Sequence, residues 1–348
     1  MVSIADVATL AGVSPTTVSH ALSGKRKVSA DVRERVFAAV EELGYHPGRS
    51  AQSLASGRTR ILGLIVPDIG NGYFAELAQG VEQTATVGGY NVLLCTTGFD
   101  HEREKQAFEM IRSRAVDGVV YAAGSPPSNS ELARLLGDLP LVLVDEEVPG
   151  TDATAFISDN YEGGRNAAEH LLGLGHREVL VLQANADLIS SRERVRGFTE
   201  AWAAAGAPEP RLASGGFTHE GGRAAIEPFV EAFANGDLSG VFAANDLMAL
   251  GAIDRLNSAE VETPRDVSVV GFDDIVPARY VRPRLTTIRQ DVAGLGGSAV
   301  QALVAALDQD IRLDGRRHVY PVELIVRDST AAPRTASTID ADLRLEAS

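Results

Sequence analysis

The sequence has one cysteine and no long apolar run, and both shortages limit the class of protein. A single thiol, Cys95, excludes an internal disulfide and fits a reducing compartment, and the apolar run around it predicts a buried, unreactive side chain. No apolar stretch reaches the roughly 20 residues that a membrane helix needs, and no charged and then apolar leader opens the chain. We therefore expect a cytoplasmic protein without a membrane partner.

Lysine is scarce, and the basic residues are unevenly distributed. The 348 residues carry a formal net charge of -15, which taken alone argues against a nucleic-acid partner. Residues 1–58, however, hold seven Lys and Arg against five Asp and Glu, a charge of +2, which leaves -17 for the remainder. A weakly basic head on an acidic body would bind DNA at one end only, and the body would suppress non-specific adhesion.

Glycine-rich phosphate loops are also missing, because no GxGxxG or phosphate-loop motif follows any predicted strand. Beyond residue 60, short apolar runs alternate with helical stretches of about ten residues or more, which predicts βαβ units and two parallel, doubly wound sheets. The expected class is α/β, with a ligand in the crevice at the carboxyl ends of the strands. We expect no cofactor and no metal. The predicted strands are 61–66, 91–95, 118–122, 141–145, 155–158, 178–183, 240–245 and 267–272.

The first 46 residues predict a small all-α head. Between residues 4 and 22, two short amphipathic helical patterns are broken at Gly12, which is typical of a helix-turn-helix. A third helix follows, and residues with capping chemistry mark the helix ends: Ser3 with Asp6, Ser14 followed by Pro15, Ser29, and Gly44. The helical spacing predicts an apolar core of Ile4, Val7, Ala8, Leu10, Val18, Ala21, Leu22, Val32, Val36, Ala39, Val40 and Leu43.

Polar residues recur where the predicted strands of the body end. They are Asp68 in the run DIGNGYF, Asp145, the pair Asn245–Asp246 and the pair Asp273–Asp274. Carboxylates and amides at one sheet edge suit the vicinal hydroxyls of a sugar, and an aromatic ring such as Phe217 or Tyr73 could stack on its apolar face. Each residue alone could equally be a turn or loop cap. Their recurrence at one edge favours a shared cleft.

The head sequence from Ile4 to Pro47 resembles the DNA-binding domain of the LacI/GalR family, which includes the lactose and purine repressors. The matching motif reads DVA, AGVS, TVS, L, G, VS, R, V and ELGY in that order. The resemblance implies that Pro15, Thr16 and His20 contact bases in the major groove. It also implies phosphate contacts for Ser14, Thr17, Ser19 and Tyr45, and such contacts set register while base contacts set sequence.

The run RSAQSL, at 49–54, resembles the hinge helix of the same family. The resemblance implies that the hinge orders when two copies meet on the operator and that Leu54 then wedges into the minor groove. An ordinary linker with an incidental leucine is the alternative. Gly48, Gln52 and Ala55 depart from the family pattern, so the hinge is expected to fold less readily and operator preference to differ.

The body resembles the periplasmic sugar-binding-protein fold of these regulators through GLIVPDIGNGYFAEL, DNYEGG, HLLGLGH, RVRGF, ANDLMALGAI, VSVVGFDD and LTTIRQD. The resemblance implies effector contacts by Arg194, Asn245 and Asp273, pocket walls from Tyr73, Phe74 and Phe217, and a further polar contact by Asp145. Arg194 and Asp273 could pair across the empty cleft, or form only a surface salt bridge. No basic residue lies around Leu188, where purine-binding members carry arginine, so a sugar is preferred over a purine.

These features predict the domain boundaries and the biological role. We expect a helix-turn-helix domain at 1–46, a hinge and linker at 47–59, an effector core at 60–330 and a disordered tail at 331–348. The chain should cross three times between an N-lobe (about 60–157 and 290–318) and a C-lobe (about 158–289 and 319–330), with VYPVELIV at 319–326 as the last strand.

The expected function is that of a bacterial repressor, associated with the nucleoid when operator-bound. The tail has no leucine heptad, so we expect it to lack the tetramer-forming segment found in some relatives. We expect a homodimer that is joined through the core and reads a near-palindromic double-stranded operator, with ligand changing the angle between the lobes. A transport-type sugar-binding protein and an enzyme using Asp145 and Asp273 as acid and base are the alternatives. The effector, the operator and the sign of control stay open.

Overall fold

The computed structural model describes residues 2–23, 26–45, 58–113, 116–184 and 188–334. These residues form two compact units. The first unit, called the head, ends at Ile61 and also contains Asp117, and the second, called the core, continues from Leu62. Within the described residues, no helix is long and apolar enough to cross a membrane.

Three helices form the head, and local capping chemistry sets their ends. Their bounds are Ile4–Ala11 for α1, Pro15–Ser23 for α2 and Ala30–Leu43 for α3. Ser3 and Asp6 form the predicted capping box, in which the Ser3 amide donates to the Asp6 carboxylate at 2.8 Å. Gly12 and Gly44 end α1 and α3 with φ of 65° and 57°, which glycine adopts without steric cost.

Small apolar side chains fill the space between the three helices. The buried residues are Val7, Ala8, Ala11, Val18, Ala21, Val36, Ala39 and Tyr45. The prediction for Leu10 is wrong, because its side chain is 46% exposed and Ala11 lies in the cluster instead. Ala11 follows Val7 and Ala8 by one helical turn, whereas Leu10 falls on the flank of the face that they define.

The core contains two six-stranded sheets, which define a first and a second lobe. The first sheet has the order β11-β5-β4-β3-β1-β2, with β1 Ile61–Val66, β2 Asn91–Thr96, β3 Gly118–Tyr121, β4 Leu141–Val144, β5 Thr154–Ser158 and β11 Arg317–Tyr320. The second has the order β12-β10-β9-β8-β6-β7, with β6 Val179–Gln183, β7 Arg211–Ser214, β8 Gly240–Ala243, β9 Ser268–Asp273, β10 Thr286–Arg289 and β12 Glu323–Ile325.

The pairings along each sheet are parallel, as in β1 with β3 and β6 with β8, except that β12 runs antiparallel to β10. Helices cover the sheets, as a parallel sheet requires. The first lobe carries α4 Gly72–Val87, α5 His101–Ser113, α6 Asn129–Leu136 and α12 Val292–Gln309. The second carries α7 Asn160–Leu174, α8 Ile189–Ala204, α9 His219–Ile226, α10 Val230–Ala234 and α11 Asp246–Asn257.

The chain crosses between the lobes after β5, after β10 and between β11 and β12. The predicted single strand at 319–326 is therefore wrong: Val319 and Tyr320 pair with the first sheet and Glu323 to Ile325 with the second. Pro321 lies at the break, where its ring removes the amide that a continuous strand would need. Sequence patterning also missed β7, whose side chains are largely exposed, and β10.

The expected disorder from residue 331 is wrong for the four residues that the structure describes there. The Ala331 amide donates to Ser268 Oγ at 2.9 Å, and its carbonyl accepts from the same hydroxyl at 2.9 Å. His176 Nε2 lies 2.9 Å from that carbonyl, and Arg334 pairs with Asp266 at 2.5 Å. The buried His176 of the HLLGLGH run thus fixes the end of the core. Residues 335–348 lie outside the described range.

Candidate functional site

All seven core residues predicted to contact an effector line one cavity between the lobes, at the carboxyl ends of the strands. The cavity holds about 370 Å³ of empty space, part of it open to solvent. The predicted residues are Tyr73, Phe74, Asp145, Arg194, Phe217, Asn245 and Asp273. Six further residues line the cavity, and of these only Leu188 was singled out from the sequence, as the position that distinguishes a sugar from a purine: Asn71, Phe99, Ala123, Glu146, Leu188 and Ser190. Parallel topology explains the convergence, because it brings strand ends distant in sequence to one edge.

The start of α4 supplies one wall of the cavity. Asn71 caps this helix through its side-chain oxygen, which accepts from the Tyr73 amide at 3.0 Å. The cap points Tyr73 inward, and its hydroxyl donates to the Asp145 carboxylate at 2.6 Å. Burial raises the pKa of Asp145, although Arg194 and the bond from Tyr73 oppose that shift. Tyr73 therefore orients an acceptor that follows β4.

Arg194 is the cationic centre of the cavity and is 3% exposed. Its Nε donates to Asn160 Oδ1 at 2.8 Å, while Nη1 donates to the Ala244 carbonyl at 2.7 Å and lies 3.4 Å from Asp273 Oδ1. The guanidinium also lies over the Phe272 ring, 3.9 Å from its centroid. Nη2 has no hydrogen-bond acceptor among the described residues, so its two N–H groups can serve a ligand.

The Arg194–Asp273 contact corrects both expectations for this pair. The two residues belong to the second lobe, so they do not bridge the cleft. Their side chains are 4% and 6% exposed, so the contact is not a surface salt bridge either. A buried pair of this kind is sensitive to loss of either partner, because the remaining charge stays buried without compensation.

Close helix packing explains the glycines in the DNYEGG and RVRGF runs. A Cβ on Gly164 would lie 1.9 Å from the Arg194 carbonyl oxygen, and one on Gly197 would lie 2.0 Å from the Tyr161 carbonyl oxygen. Only glycine allows α7 and α8 to approach so closely. This approach brings Asn160, at the start of α7, within reach of Arg194.

Asp273 ends β9 and is held from two directions. Gln290 Nε2 donates to Asp273 Oδ1 at 2.7 Å, and burial raises the pKa of Asp273 to about 7 despite the nearby Arg194. The next residue, Asp274, is 2% exposed and binds the guanidinium groups of Arg279, Arg289 and Arg327. These ion pairs fix the loop that presents Asp273 to the cavity.

Asn245 performs two structural tasks at the start of α11. Its Oδ1 accepts from the Met248 amide at 2.9 Å, and its Nδ2 donates to the Phe217 carbonyl at 3.1 Å. The loop-cap interpretation of this residue is therefore correct, but it does not exclude a ligand contact. The second N–H of the same amide group has no other described partner, and the residue lines the cavity.

Aromatic rings form the apolar side of the cavity. The Tyr73 and Phe74 centroids lie 5.1 Å apart edge to face, Phe74 and Phe99 are 6.1 Å apart, and Phe99 stacks on Phe217 at 6.3 Å. Phe99 follows β2 in the first lobe and Phe217 follows β7 in the second. This arrangement can pack against the apolar face of a small ring while carboxylates bind its polar edge.

Backbone strain is concentrated in the same lining residues. Phe99, Asp145, Phe217 and Asp273 have positive φ values of 57°, 69°, 62° and 117°. Such conformations cost roughly 1–3 kcal/mol each in non-glycine residues and cluster at ligand sites. Their presence at four lining positions supports a binding role for this cavity.

Two missed residues carried a usable sequence signal. Glu146 directly follows Asp145 in the run VDEE, so it shares the same strand end. Phe99 follows the predicted strand at 91–95, as Tyr73 follows the predicted strand at 61–66, so both strands are followed by an aromatic residue in the sequence. Ser190 gave no such signal, because its place in the cavity depends on how α8 begins.

The predicted DNA-contacting residues lie at the start of α2 in the head. Ser14, Pro15 and Thr16 are exposed. The Thr17 amide donates to Ser14 Oγ at 3.1 Å, so the predicted cap of α2 is present. The remaining predicted residues are Thr17, Ser19 and His20, which are partly exposed, and Tyr45, which is 8% exposed within the head cluster. Leu54 and the hinge positions Gly48, Gln52 and Ala55 lie outside the described residues.

Comparison with known proteins gives family matches at both ends of the chain. Residues 3–48 match the family of bacterial regulatory proteins of the lacI family, and residues 168–330 match a periplasmic binding protein-like domain. The chain is 35% identical over 338 residues to the HTH-type transcriptional regulator GalR of Escherichia coli strain K12, covering 96% of this chain and 97% of that protein. It is also 35% identical over 339 residues to the HTH-type transcriptional repressor PurR of Aliivibrio fischeri strain MJ11, covering 94% and 98%.

Solved structures agree with these matches. The lac repressor dimer bound to operator and the anti-inducer ONPF has a TM-score of 0.82 and 26% identity, covering 95% of this chain and 99% of that chain. A LacI family transcriptional regulator from Enterococcus faecalis V583 with bound ribose has a TM-score of 0.72 and 31% identity, covering 79% and 100%.

A helix-turn-helix head and a two-lobed α/β binding core in one chain define a class of bacterial regulator. This chain belongs to the LacI family and is a DNA-binding transcriptional regulator. The predicted family and fold class are confirmed. The enzyme alternative finds no support, because the relatives that span the chain are named as regulators and repressors.

Proposed function

We propose that this protein is a repressor that binds a near-palindromic operator as a homodimer in the bacterial cytoplasm, under the control of a small uncharged sugar or sugar derivative. The observation that carries this proposal is the convergence of seven predicted side chains on one cavity. The ribose bound to the Enterococcus faecalis regulator and the operator-bound lac repressor dimer support the same assignment.

The charges around the cavity favour an uncharged effector. Among the described residues, three carboxyl groups, those of Asp145, Glu146 and Asp273, line the cavity together with one guanidinium, that of Arg194. A phosphate or carboxylate on the ligand would be buried beside three acids, with the Arg194 guanidinium as the one described cationic group to stabilise it. Hydroxyl groups fit better, because they can accept from Nη2 and donate to the carboxylates. Leu188 adds an apolar surface without charge, which favours a sugar over a purine.

A matched ligand panel tests the effector class. Thermal shift and calorimetry would compare D-ribose and D-galactose with D-glucose 6-phosphate and D-glucuronate. We expect at least one neutral sugar to raise the melting temperature by mass action, without product formation, and the two anions to bind at least tenfold more weakly. Tighter binding of an anionic sugar, or turnover of any sugar, would contradict the proposal.

The exposed face of α2 supports DNA reading by the head. Pro15, Thr16 and His20 are proposed to contact bases in the major groove, and Leu54 the minor groove. Replacing Thr16 with Ala should weaken specific operator binding by about 1–3 kcal/mol and relax sequence preference at one position. Leu54→Ala should likewise weaken specific binding while sugar affinity stays the same. Equal losses of both affinities in Leu54→Ala would indicate a structural role instead.

One measurement decides whether the sugar weakens or strengthens operator binding. Operator affinity would be measured by fluorescence anisotropy with and without the sugar identified above, at a fixed salt concentration because phosphate contacts depend strongly on salt. The coupling must be reciprocal, so operator DNA should change sugar affinity by the same factor. Operator binding that ignores every sugar would contradict effector control.

A further inference from the structure

The N terminus of α8 is capped from the opposite lobe. Its own N-cap residue, Leu188, supplies no side-chain acceptor. Glu146, which follows β4 in the first lobe, accepts from the Ile189 amide at 2.9 Å, from the Ser190 amide at 3.2 Å and from Ser190 Oγ at 2.6 Å. The first amides of a helix have no acceptor within the helix. A carboxylate of one lobe therefore satisfies the helix end of the other.

This contact exists only when the lobes are close together. Glu146 is 2% exposed, and its carboxylate accepts from the Ile189 amide, the Ser190 amide and the Ser190 hydroxyl, so these donors do not require water. If the lobes separated, both the carboxylate and the helix end would have to be solvated instead. The interaction is charge-assisted and lies at the positive end of a 16-residue helix, so it stabilises the closed arrangement.

Burial of the carboxyl group opposes that gain. It raises the pKa of Glu146 to about 7, with Asp145 raising it further, while the bonds from Ser190 and the Glu147 amide lower it. Desolvation of the carboxyl group therefore offsets part of the stabilisation that the cap provides.

The capped helix also carries the cationic group of the cavity. Ser190 and Arg194 are four residues apart on α8, so they lie on the same helix face, and both line the cavity. Arg194 is tied to its own lobe through Asn160 and the Ala244 carbonyl. Glu146 ties the same helix face to the other lobe. The position of Arg194 relative to Asp145 and Tyr73 thus depends on the Glu146 cap.

We propose that Glu146 is a positioning residue that couples lobe closure to effector binding by capping α8 across the cleft. The cap and an effector held by Arg194 stabilise the same closed state, so each strengthens the other. This proposal rests on the cleft being the effector site, but the cap is made by protein groups alone and can be tested without a ligand. The two ideas can therefore fail separately.

The first test needs no ligand. Hydrogen exchange at the Ile189 and Ser190 amides, and the distance between spin labels at exposed Val87 and Glu209 in a Cys95→Ser background, would be measured for the full chain. In Glu146→Ala we expect at least tenfold faster exchange at both amides and a shift of the label distances towards open lobes. Ser190→Ala should shift both readouts in the same direction by less, because two of the three bonds to Glu146 remain.

Glu147→Gln is the matched control. Glu147 is the next residue, but its carboxylate pairs with Arg317 of the same lobe at 2.8 Å. Exchange and label distances should stay at wild-type values in this variant. Unchanged label distances in both Glu146→Ala and Ser190→Ala would overturn the proposal, as would equal opening in Glu147→Gln.

The second test measures coupling with D-ribose and D-galactose as probes. For a sugar that binds the wild type, affinity should fall about tenfold in Glu146→Ala, and saturating sugar should return the labels to the closed distance. A tenfold loss of affinity with lobes that stay closed would mean that Glu146 is a direct ligand contact, which would also overturn the proposal. If neither sugar binds the wild type, the effector assignment is weakened while the exchange and distance results still decide the cap.

Discussion

The head and the core use their polar side chains in opposite ways. In the head, Ser14 and Thr16 point outward from a cluster of valines and alanines, and few described contacts hold them. In the core, Arg194 and Asp273 are almost fully buried, and each also holds part of the fold. The head can therefore change its specificity by exchanging surface residues, whereas a change in the cleft of the core also changes stability.

The two regions also differ in how far apart their interacting residues are in sequence. The Ser3–Asp6 capping box joins residues three positions apart. The Asp145–Tyr73 and Arg194–Asp273 contacts join residues 72 and 79 positions apart. Mutations in the head should therefore have local consequences, while mutations in the cleft should affect both lobes.

The largest expected effect is that of Arg194→Ala. Removing the guanidinium leaves the buried Asp273 carboxyl group with Gln290 as its one described donor, and it leaves the Asn160 side-chain oxygen with no described donor. We expect sugar affinity to fall by about 100-fold and the free energy of unfolding of the core to fall by about 3 kcal/mol. Calorimetry and urea unfolding followed by the fluorescence of Trp202, the single tryptophan, measure the two quantities.

Arg196→Ala is the matched control for that experiment. Arg196 lies on the same helix, but its side chain is 51% exposed and pairs with Glu193 and Glu200 at the surface. Loss of the Arg196 side chain should lower the free energy of unfolding of the core by less than about 1 kcal/mol and leave sugar affinity unchanged. Similar losses in the two variants would show that α8, rather than the Arg194 guanidinium, is what binding requires.

Val36→Ala should give the largest effect in the head. Val36 is fully buried in a cluster made mostly of small side chains, so its truncation should lower the free energy of unfolding of the head by about 2 kcal/mol. Hydrogen exchange along α3 should accelerate, and operator binding should weaken on warming, while sugar affinity is unchanged. Leu10→Ala removes a larger side chain that is 46% exposed and should change neither readout. A larger loss from Leu10→Ala would contradict the head packing described above.

Local signals in the sequence were sufficient to predict most of the head and many strands. Ser3 with Asp6 marked the start of α1, and the apolar run at 61–66 coincides with β1. The strand-end rule also brought Asp145 and Asp273 to the cavity, because parallel topology fixes where such residues meet. These predictions need only spacing within one element or one rule about sheet edges.

Contacts that depend on the relative placement of elements could not be predicted in this way. The bonds from Glu146 to Ser190 join two lobes, and nothing in either local sequence encodes how closely the lobes approach. The exposed strand β7 lacks the apolar run that marks a buried strand. At Pro321 the change of sheet happens within a continuous apolar pattern, so the pattern suggested one strand instead of two.

A change of pH from 8 to 6 should change the free energy of unfolding of the core by about 1 kcal/mol and leave the stability of the head unchanged. Burial raises the pKa of both Glu146 and Asp273 to about 7, above the values of unfolded carboxyl groups, so the folded core binds more protons than the unfolded chain between about pH 4 and 7. These two carboxyl groups should therefore raise the free energy of unfolding of the core as pH falls from 8 to 6, and the partly buried His170 and the buried His176, whose pKa values are lowered by burial, should oppose part of that rise. Trp202 fluorescence in urea measures it, and a decrease over this range would contradict the assigned shifts.

The head should not follow that trend. Its Asp6 carboxylate accepts hydrogen bonds from Ser3, which lower the pKa of Asp6. A lowered pKa contributes stability that is present above the unfolded value and is lost only as pH falls below about 4. Hydrogen exchange in α1 should therefore reflect a constant opening free energy from pH 8 to 6, after correction for intrinsic exchange rates. If the stability of the head rose in parallel with that of the core as pH falls, the carboxyl groups of the cleft would not be the source of the pH dependence.

The smallest predicted effect tests whether capping alone defines the head. Ser3→Ala removes the hydroxyl that accepts from the Asp6 amide. The substitution should lower the stability of α1 by about 0.5–1 kcal/mol and leave the rest of the protein unaffected. Thr9→Ala is the matched control, because the Thr9 hydroxyl donates to the Ala5 carbonyl in the middle of the same helix, where alanine is the better helix former. Hydrogen exchange should accelerate in α1 for Ser3→Ala and stay equal or slow for Thr9→Ala. If Ser3→Ala also accelerated exchange in the core, the stability of the head would not be local, and the contrast between the two regions would fail at its simplest point.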